Sequence, residues 1–298
     1  MSIRRLGEFG LIERFRKAIK TDPSVIKGSG DDCAVMRFDK KHYMLFTCDM
    51  LIEGIDFTSK EDPFLVGRKA IAVSISDIAS CCGLPRYCTV SMALPRRSKV
   101  LTADKLFKGM YDICRQYGIN LVGGDLSRAD KLIIDVSMLG FVEKNRLCLR
   151  SKAKKGDVIF VTGEFGGSIK GKHLRFIPRV DEARFLSERF KVNSMIDISD
   201  GLTQDLSHIL KASSVGALIY EDLIPASKEA RDLTDVLSSG EDFELLFTVS
   251  LKDAKKILKR HIVNFKPIGQ IMEKKYGLRL IDKSGREKVL RENGYRHF

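Results

Sequence analysis

Acidic residues interrupt or end some of the most apolar segments of this chain. Asp49 directly follows the largely apolar run 43–48, and Asp77 interrupts the apolar run 70–79. An ionised carboxylate in such surroundings is costly unless a cation or several hydrogen-bond donors satisfy it. Further acidic groups stand at Gly30-Asp31-Asp32, Gly123-Gly124-Asp125, Asp197, Asp200-Gly201 and Gly240-Glu241-Asp242. Collected around one cleft, these groups would bind a hard divalent cation, and metal held by carboxylates is typical of phosphate chemistry.

The length and composition predict a two-domain protein. The 298 residues, 44% hydrophobic and 31% charged, have the composition of a soluble globular protein. A polar, basic segment at 143–156 precedes the apolar run 158–161, so we expect domains at 1–143 and 144–298. No uncharged apolar stretch is long enough to cross a membrane and no secretion signal opens the chain, so we expect a cytoplasmic protein without a membrane partner.

Basic residues outnumber acidic ones, 52 to 39, giving a formal net charge of +13. Such an excess would suit nucleic acid, anionic lipid or phosphorylated small molecules. The lysines and arginines do not alternate with aromatic residues, and those at 255–260 fit the exposed face of an amphipathic helix. We therefore expect no nucleic-acid partner.

The spacing of apolar residues predicts an α/β protein. Phe9, Ile12 and Phe15 fall at near-helical intervals and predict a short amphipathic helix. Asp62-Pro63 is a typical helix start and Gly83 a stop, so a helix of about twenty residues should carry Asp77. The other predicted elements are strands at 33–37, 43–48, 87–94, 132–142, 158–162, 216–220 and 243–249, helices near 102–117 and from 202, and a hairpin at 278–290.

Each acidic motif, taken alone, has a second interpretation. Gly30-Asp31-Asp32 and Gly123-Gly124-Asp125 could be turns, and Ser199 or Asp200 could simply cap the helix that follows. The glycines could equally let a phosphate approach the backbone, and a helix N-terminus offers it free amides. Both interpretations stay open at this point.

Residues 166–173 have the glycine and lysine spacing of a phosphate-binding P-loop. His173 stands where a P-loop has the Ser or Thr that binds magnesium, and three residues separate the segment from the preceding strand. We therefore do not expect a P-loop here.

The order of the motifs along the chain is more specific than any one of them. In sequence they are Gly7-Glu8-Phe9, Gly30-Asp31-Asp32-Cys33-Ala34-Val35, Asp49 with Glu53-Gly54, Ser76-Asp77-Ile78-Ala79, Gly123-Gly124-Asp125, Asp197-Ile198-Ser199-Asp200-Gly201-Leu202, Gly240-Glu241-Asp242-Phe243-Glu244-Leu245 and Gly294-Tyr295-Arg296-His297-Phe298. This series resembles the thiamine-monophosphate kinase family over nearly the whole chain. The resemblance implies an enzyme that transfers the γ-phosphoryl group of ATP to thiamine monophosphate, giving thiamine diphosphate and ADP.

The resemblance also implies a fold and a set of site residues. The fold is the two-domain α/β architecture shared with aminoimidazole ribonucleotide synthetase and selenophosphate synthetase. In it, the N-terminal mixed sheets of two subunits pair across a homodimer, and ATP with several Mg²⁺ ions occupies the cleft between domains. Carried over by motif, the Mg²⁺ ligands are Asp32, Thr47, Asp49, Asp77, Asp125, Asp197 and Asp200; the nucleotide contacts are Gly124, Asp125, Arg150 and Ser199; and the substrate contacts are Glu241 and the positions of Asp56 and Glu292.

Two of these positions depart from the family pattern. The family commonly has histidine where Asp56 stands and an aromatic residue where Glu292 stands. A kinase for another small phosphomonoester is therefore the alternative function. A catalytically silent ATP-binding or metal-binding regulator is a second alternative, against which the retained acids argue.

The implied acceptor is already a phosphate monoester, so its oxygen is anionic at neutral pH and needs no strong general base. The chain has many acids but no nucleophile motif such as G-x-S-x-G. We therefore expect magnesium-assisted, direct in-line transfer with no catalytic side-chain nucleophile.

Overall fold

A computed structural model of the chain describes residues 2–260 and 265–298. Its first half contains, in order, α1 (Ile3–Leu6), α2 (Glu8–Ala18), β1 (Val25–Lys27), β2 (Ala34–Arg37), β3 (His42–Ile52), α3 (Pro63–Ser80), β4 (Leu84–Leu94), α4 (Val100–Gln116), β5 (Asn120–Arg128) and β6 (Ile133–Glu143). The second half contains β7 (Val158–Val161), α5 (Lys172–Arg175), α6 (Val180–Arg189), β8 (Val192–Asp197), α7 (Leu202–Ser213), β9 (Val215–Tyr220), α8 (Leu233–Ser238), β10 (Leu245–Val249), α9 (Leu251–Arg260), β11 (Lys266–Glu273), β12 (Leu278–Ile281) and β13 (Glu287–Val289). Short 3₁₀ turns lie at Ser168–Lys170, Glu221–Leu223 and Lys274–Tyr276.

The first half forms a six-stranded sheet in the order β1-β2-β3-β6-β4-β5. Its pairs are antiparallel except for β4 and β5, which run parallel because the helix α4 connects them. Strand β3 alternates, with Leu45 and Leu51 buried towards the helices and Phe46 and Met50 exposed on the other face. The sheet therefore has one face covered by α3 and α4 and one outer face that the described residues leave open.

The second half forms a seven-stranded sheet in the order β13-β12-β9-β11-β7-β10-β8. Strand β12 pairs with β9 in parallel, and the other pairs are antiparallel. The interior strand β10, between β7 and β8, is buried throughout, as its apolar run requires. Two mixed sheets with flanking helices confirm the predicted α/β class.

Helix α3 lies at the centre of the molecule. Asp62 caps it by accepting a hydrogen bond from the amide of Phe64 at 3.2 Å, and Pro63 occupies its first turn, as predicted. The helix crosses α4 so closely that a Cβ on Gly67 would lie 2.1 Å from the carbonyl oxygen of Leu106. It also contacts β3 and β6 on one side and α5, α6 and β8 of the second half on the other. Nearly every face of α3 is thus buried, including the face that carries Asp77.

Three local interpretations are settled by the backbone. Residues 123–125 lie within strand β5, so the turn interpretation of Gly123-Gly124-Asp125 is wrong. Neither Ser199 nor Asp200 caps α7; instead, the Asp205 carboxylate accepts from the amides of Asp200 and Gly201 at 3.0 and 3.1 Å. In the segment with P-loop spacing, Ser168–Lys170 form a 3₁₀ turn and Lys172–Arg175 a helix of only four residues, unlike the long helix that follows a P-loop.

No helix within the described ranges combines the length and the hydrophobicity needed to cross a bilayer.

The ion pair between Arg184 and Glu143, at the end of β6, helps to join the two halves. Arg184 of α6 donates to both carboxylate oxygens of Glu143, at 2.7 and 2.8 Å, and to the carbonyl oxygen of Cys82 at 3.0 Å. These hydrogen bonds lower the pKa of Glu143 from 4.5 to about 2. Because the pKa of Glu143 is lower in the folded than in the unfolded protein, the ionised carboxylate stabilises the fold above about pH 4.5. This stabilisation is lost as the pH falls from 4.5 to about 2.

We therefore predict that Glu143→Gln lowers the free energy of unfolding by about 1 kcal/mol near neutral pH, and by much less at about pH 2, where the folded carboxyl is itself becoming protonated. Urea denaturation of the variant and the wild type at both pH values measures this difference. Glu287→Gln, which breaks an exposed pair with Arg279 within one hairpin, is the matched control and should cost less. A loss for Glu143→Gln that is the same at both pH values would contradict the argument.

Candidate active site

Four of the predicted aspartates converge on helix α3. Asp32 precedes β2, Asp49 lies in β3, Asp77 is on α3 itself, and Asp197 ends β8 in the second sheet. Carboxylate oxygens of Asp32, Asp77 and Asp197 all lie within 4.8 Å of one another. The structure therefore brings together acids that are up to 165 positions apart, the distance from residue 32 to residue 197.

Hydroxyl groups hold these carboxylates in place. Ser74, Ser76 and Ser80 of α3 each donate at 2.6 Å to a different aspartate, namely Asp49, Asp197 and Asp32 in that order. Thr47 of β3 donates to Asp77 in the same way. Sequence reasoning missed the three serines as site residues; the available signal was their presence in an otherwise apolar helix. Hydroxyls orient the carboxylates but leave their charge uncompensated.

The shifted pKa values report this uncompensated charge. Burial raises the pKa of Asp49 to about 6 and that of Asp197 to about 8, and the charge of Asp32 adds to both shifts. Burial, followed by the charges of Asp49, Asp197 and Asp32, raises the pKa of Asp77 well above its usual range. Clustered acids with raised pKa values are a recognised mark of functional sites.

Arg150 is the cation that pairs directly with this cluster. Its Nε lies 3.0 Å from Oδ1 of Asp32, and its amide donates to Oδ1 of Asp31 at 3.1 Å. The other oxygen of Asp31 is buried and accepts no hydrogen bond from the described residues; Lys27 Nζ lies 3.6 Å from it. Burial and the neighbouring Asp32 raise the pKa of Asp31 to about 6.

The donor set fits magnesium. It consists of carboxylate and hydroxyl oxygens, which hard divalent cations prefer, and contains no thiol or imidazole. Four aspartates face one guanidinium, and one carboxylate oxygen of Asp31 is left without a donor. A divalent cation would relieve this excess of negative charge.

A cavity of about 650 Å³ opens beside the cluster. It lies between α2, the loop 29–31 and α7, and its polar lining includes Asp31, Arg150, Ser199, Asp200, His208 and Lys211. Burial raises the pKa of Asp200 to about 6 and lowers that of His208 to about 3, so the imidazole is neutral at neutral pH. Two of the expected nucleotide contacts, Arg150 and Ser199, thus line a cavity of nucleotide size.

The ends of the chain meet at this cavity. The amide of Tyr295 donates to the carbonyl oxygen of Asp200 at 3.0 Å, and the amide of His297 donates to the carboxylate of Glu8 at 3.0 Å. Phe9 of α2 packs edge-on against His208, with ring centroids 5.1 Å apart. The Gly-Glu-Phe and Gly-Tyr-Arg-His-Phe motifs therefore meet next to Asp200.

Expected substrate contacts lie nearer the N-terminal end of α3. Glu241 forms an ion pair with Lys69, which also donates to the carbonyl oxygen of Asp56 at 2.7 Å. The Asp56 carboxylate itself accepts from the amide of Ile52 at 2.7 Å. Glu292 is separate from this group and pairs with Lys211 at 2.7 Å on the surface. Sequence reasoning missed Lys69, although a lysine inside a buried helix was a signal.

Gly124 and Asp125 lie in the edge strand β5, apart from the cluster. Across the sheet, Gly124 of β5, Val90 of β4, Val136 of β6 and Asp49 of β3 lie side by side in one row of paired residues. Asp125 pairs with Ser91, one position further along, in the next row. Since paired residues share a face of the sheet, Asp125 lies on the outer face and Asp49 on the inner one. Asp125 is exposed, and its role as a ligand stays a prediction.

Known proteins resemble this chain over its full length. Residues 30–142 and 157–281 match the N-terminal and C-terminal domains of the AIR synthase related protein family. Thiamine-monophosphate kinase of Buchnera aphidicola subsp. Schizaphis graminum is 35% identical over 98% of this chain and 99% of its own, and that of Escherichia coli K12 is 34% identical over 98% of both. The chain belongs to the thiamine-monophosphate kinase family.

Solved structures of this kinase family have the same fold. A structure described as AaThiL complexed with AMPPCP and TMP superposes with a TM-score of 0.88 at 30% identity and covers 100% of this chain and 99% of that one. Thiamine monophosphate kinase from Aquifex aeolicus gives a TM-score of 0.81 at 29% identity over 97% of this chain and 100% of that one. The resemblance inferred from the ordered motifs is confirmed.

The crowding of negative charge at α3 gives a testable prediction. Asp77→Asn removes one buried, ionisable acid from the cluster while the amide oxygen can still accept from Thr47. Without metal, we expect the variant to melt roughly 2–4 °C above the wild type, equivalent to about 1 kcal/mol. Saturating magnesium should raise the melting temperature of the wild type and have less than about half that effect on the variant.

Asp157→Asn is the matched control, since Asp157 is a buried aspartate of the second half that accepts from Lys154 and Asn193. It should lower the melting temperature and keep the full response to magnesium. Differential scanning fluorimetry with and without magnesium measures both effects. A variant at position 77 that is destabilised and responds like the wild type would show that Asp77 is not part of a metal site.

Proposed function

We propose that this protein transfers the γ-phosphoryl group of ATP to thiamine monophosphate, giving thiamine diphosphate and ADP. The observation that carries the proposal is a buried, hydroxyl-oriented aspartate cluster next to a nucleotide-sized cavity, in a chain whose full-length relatives are thiamine-monophosphate kinases. The structure of AaThiL with AMPPCP, an ATP analogue, and TMP supports the same assignment.

Asp32, Asp49, Asp77 and Asp197 would hold Mg²⁺, with Thr47, Asp125 and Asp200 as the further ligands proposed by motif. Bound there, magnesium would neutralise charge on the triphosphate and on the acceptor phosphate. Ser74, Ser76 and Ser80 keep the carboxylates oriented, so that little reorganisation is needed when ligands bind.

The nucleotide would occupy the cavity beside α7. Arg150 supplies a guanidinium that suits a phosphate group, and Ser199 also lines the cavity. Gly124 and Asp125, the other nucleotide contacts proposed by motif, lie apart from it in β5. Glu241, with the positions of Asp56 and Glu292, would bind the acceptor. The bond between the γ-phosphorus and the ADP oxygen breaks as an oxygen of the acceptor phosphate attacks, and no side chain needs to take a proton from that anionic oxygen.

We also propose a cytoplasmic location, where ATP is available. Its seven cysteines are all unpaired thiols in the structure, in keeping with a reducing compartment. We propose residues 1–143 as the domain that contributes most metal ligands and residues 144–298 as the domain that completes the site.

A direct assay tests the proposed reaction. Purified protein with ATP, magnesium and thiamine monophosphate should release ADP and thiamine diphosphate in equal amounts, measured by chromatography. Asp77→Asn should lower kcat by about 100-fold or more, because a ligand charge is lost. The same assay with other small phosphomonoesters tests the alternative suggested by Asp56 and Glu292. Turnover of one of these, with none of thiamine monophosphate, would replace the proposed substrate.

We also propose a homodimer formed through the outer face of the N-terminal sheet. Phe46 and Tyr87 are exposed on that face and both pair with Leu139, so they form a row across three strands. The edge strand β5 next to them exposes Val122, whereas Leu126 is exposed on the opposite, inner face. An apolar sheet face beside an unpaired edge is the kind of surface that a second subunit covers.

Tyr87→Glu should convert a dimer of twice 33.6 kDa into a monomer, because a charge at the centre of the interface would be buried without a partner. Size-exclusion chromatography with light scattering measures the mass. Tyr220→Glu, at an exposed tyrosine of the other sheet, is the matched control and should leave the mass unchanged. A wild-type monomer, or an unaffected dimer in Tyr87→Glu, would rule out this interface.

A further inference from the structure

Lys69 is the only lysine in the described ranges that is buried, with 0% of its surface exposed. It lies on α3, about two turns before Asp77. A buried ammonium group is costly unless it is paired and hydrogen-bonded, so its partners decide why it is there. Its Nζ donates to the carbonyl oxygen of Asp56 at 2.7 Å and to one carboxylate oxygen of Glu241.

The main chain of Glu241 is fixed independently of Lys69. Glu241 has a positive φ of 57°, a left-handed conformation that a residue with a side chain adopts only when its surroundings impose it. Its amide donates to the carbonyl oxygen of Ser199 at 2.6 Å. A Cβ on the preceding Gly240 would lie 2.7 Å from that same oxygen. The loop 240–243 is therefore pressed against the segment between Asp197 and Asp200.

The two sides of the ion pair differ in exposure. The Lys69 side chain is fully buried, whereas 29% of the Glu241 side-chain surface is exposed. Lys69 engages Oε2 of Glu241, and Oε1 accepts no hydrogen bond from the part of the chain that the structure describes. Burial, then the charges of Asp56 and Glu241, raise the pKa of Tyr295, so the phenol of the C-terminal motif lies near both acids. The free carboxylate oxygen is thus held at an accessible place beside the site.

We propose that Lys69 is a positioning residue for the acceptor substrate. It fixes the Glu241 carboxylate and the backbone of Asp56 relative to α3, so that the free oxygen of Glu241 can accept from an amine or face a cationic ring. Thiamine monophosphate carries both an exocyclic amine and a cationic thiazolium ring. The inference rests on the proposed function and adds to it a residue that cannot itself touch the substrate.

Lys69→Met tests this role. The variant leaves Glu241 free to change rotamer, so we expect the KM for thiamine monophosphate to rise about tenfold or more and the KM for ATP to change less than about threefold. Glu241→Gln should raise the same KM while leaving Lys69 in place. If Lys69 acts through Glu241, the double variant should be no worse than the more damaged single variant.

Arg68→Met is the matched control. Arg68 is the adjacent residue of α3 and also joins the two halves, donating to the carbonyl oxygen of Phe176 at 2.7 Å, but it does not contact Glu241. Its loss should lower the melting temperature and leave the ratio of the two KM values unchanged.

The outcomes separate the two proposals. A wild type that does not phosphorylate thiamine monophosphate overturns the proposed function. An active wild type in which Lys69→Met raises both KM values equally, or adds fully to Glu241→Gln, overturns the role of Lys69 and leaves the function standing. If Lys69→Met does not fold, Glu241→Gln decides, since an unchanged KM for thiamine monophosphate in that variant also overturns the role.

Discussion

The structure depends on burying several like charges around one helix. Asp32, Asp49 and Asp197 approach α3 from three separate segments, and Asp77 belongs to the helix itself. The hydrogen bonds from α3 orient these carboxylates without neutralising them, and Arg150 offsets only part of their charge. Folding therefore brings together groups that repel one another in a medium that screens them poorly.

Packing of α3 offsets this repulsion. Val66, Ala70, Ile71, Ile75 and Ile78 are almost fully buried against the N-terminal sheet, α4 and the second half of the chain. Burying side chains of this size contributes roughly 1–3 kcal/mol each, which is enough to hold the helix in place while its polar face carries the site. The same helix thus supplies both the core of the N-terminal half and the surface on which the carboxylates meet.

The sequence could predict the acids but not most of their partners. A capping aspartate followed by proline, and a stopping glycine, located α3. Apolar patterning located the long strands, because burial on one face alternates along a strand. It did not predict β5 around Gly123 and Gly124, since glycines weaken a strand signal and here sit in an exposed edge strand. Asp77 was recognisable as an acid without a local partner. Ser74, Ser76, Ser80 and Lys69 were not recognised as site residues, because their partners lie far away in sequence.

The local charge balance explains why an overall basic protein can have an acidic site. Most lysines and arginines are spread over the exposed surface, where water screens them, whereas the described residues place a single lysine in the interior. That lysine pairs with Glu241 and not with the aspartate cluster. Apart from Arg150, the cluster therefore has no cation of its own, and bound protons or a divalent cation must offset its charge. Repulsion among the buried carboxylates destabilises the ligand-free protein, and relief of that repulsion favours cation binding. A cluster that was fully neutralised by protein groups would therefore be more stable and would bind magnesium less well.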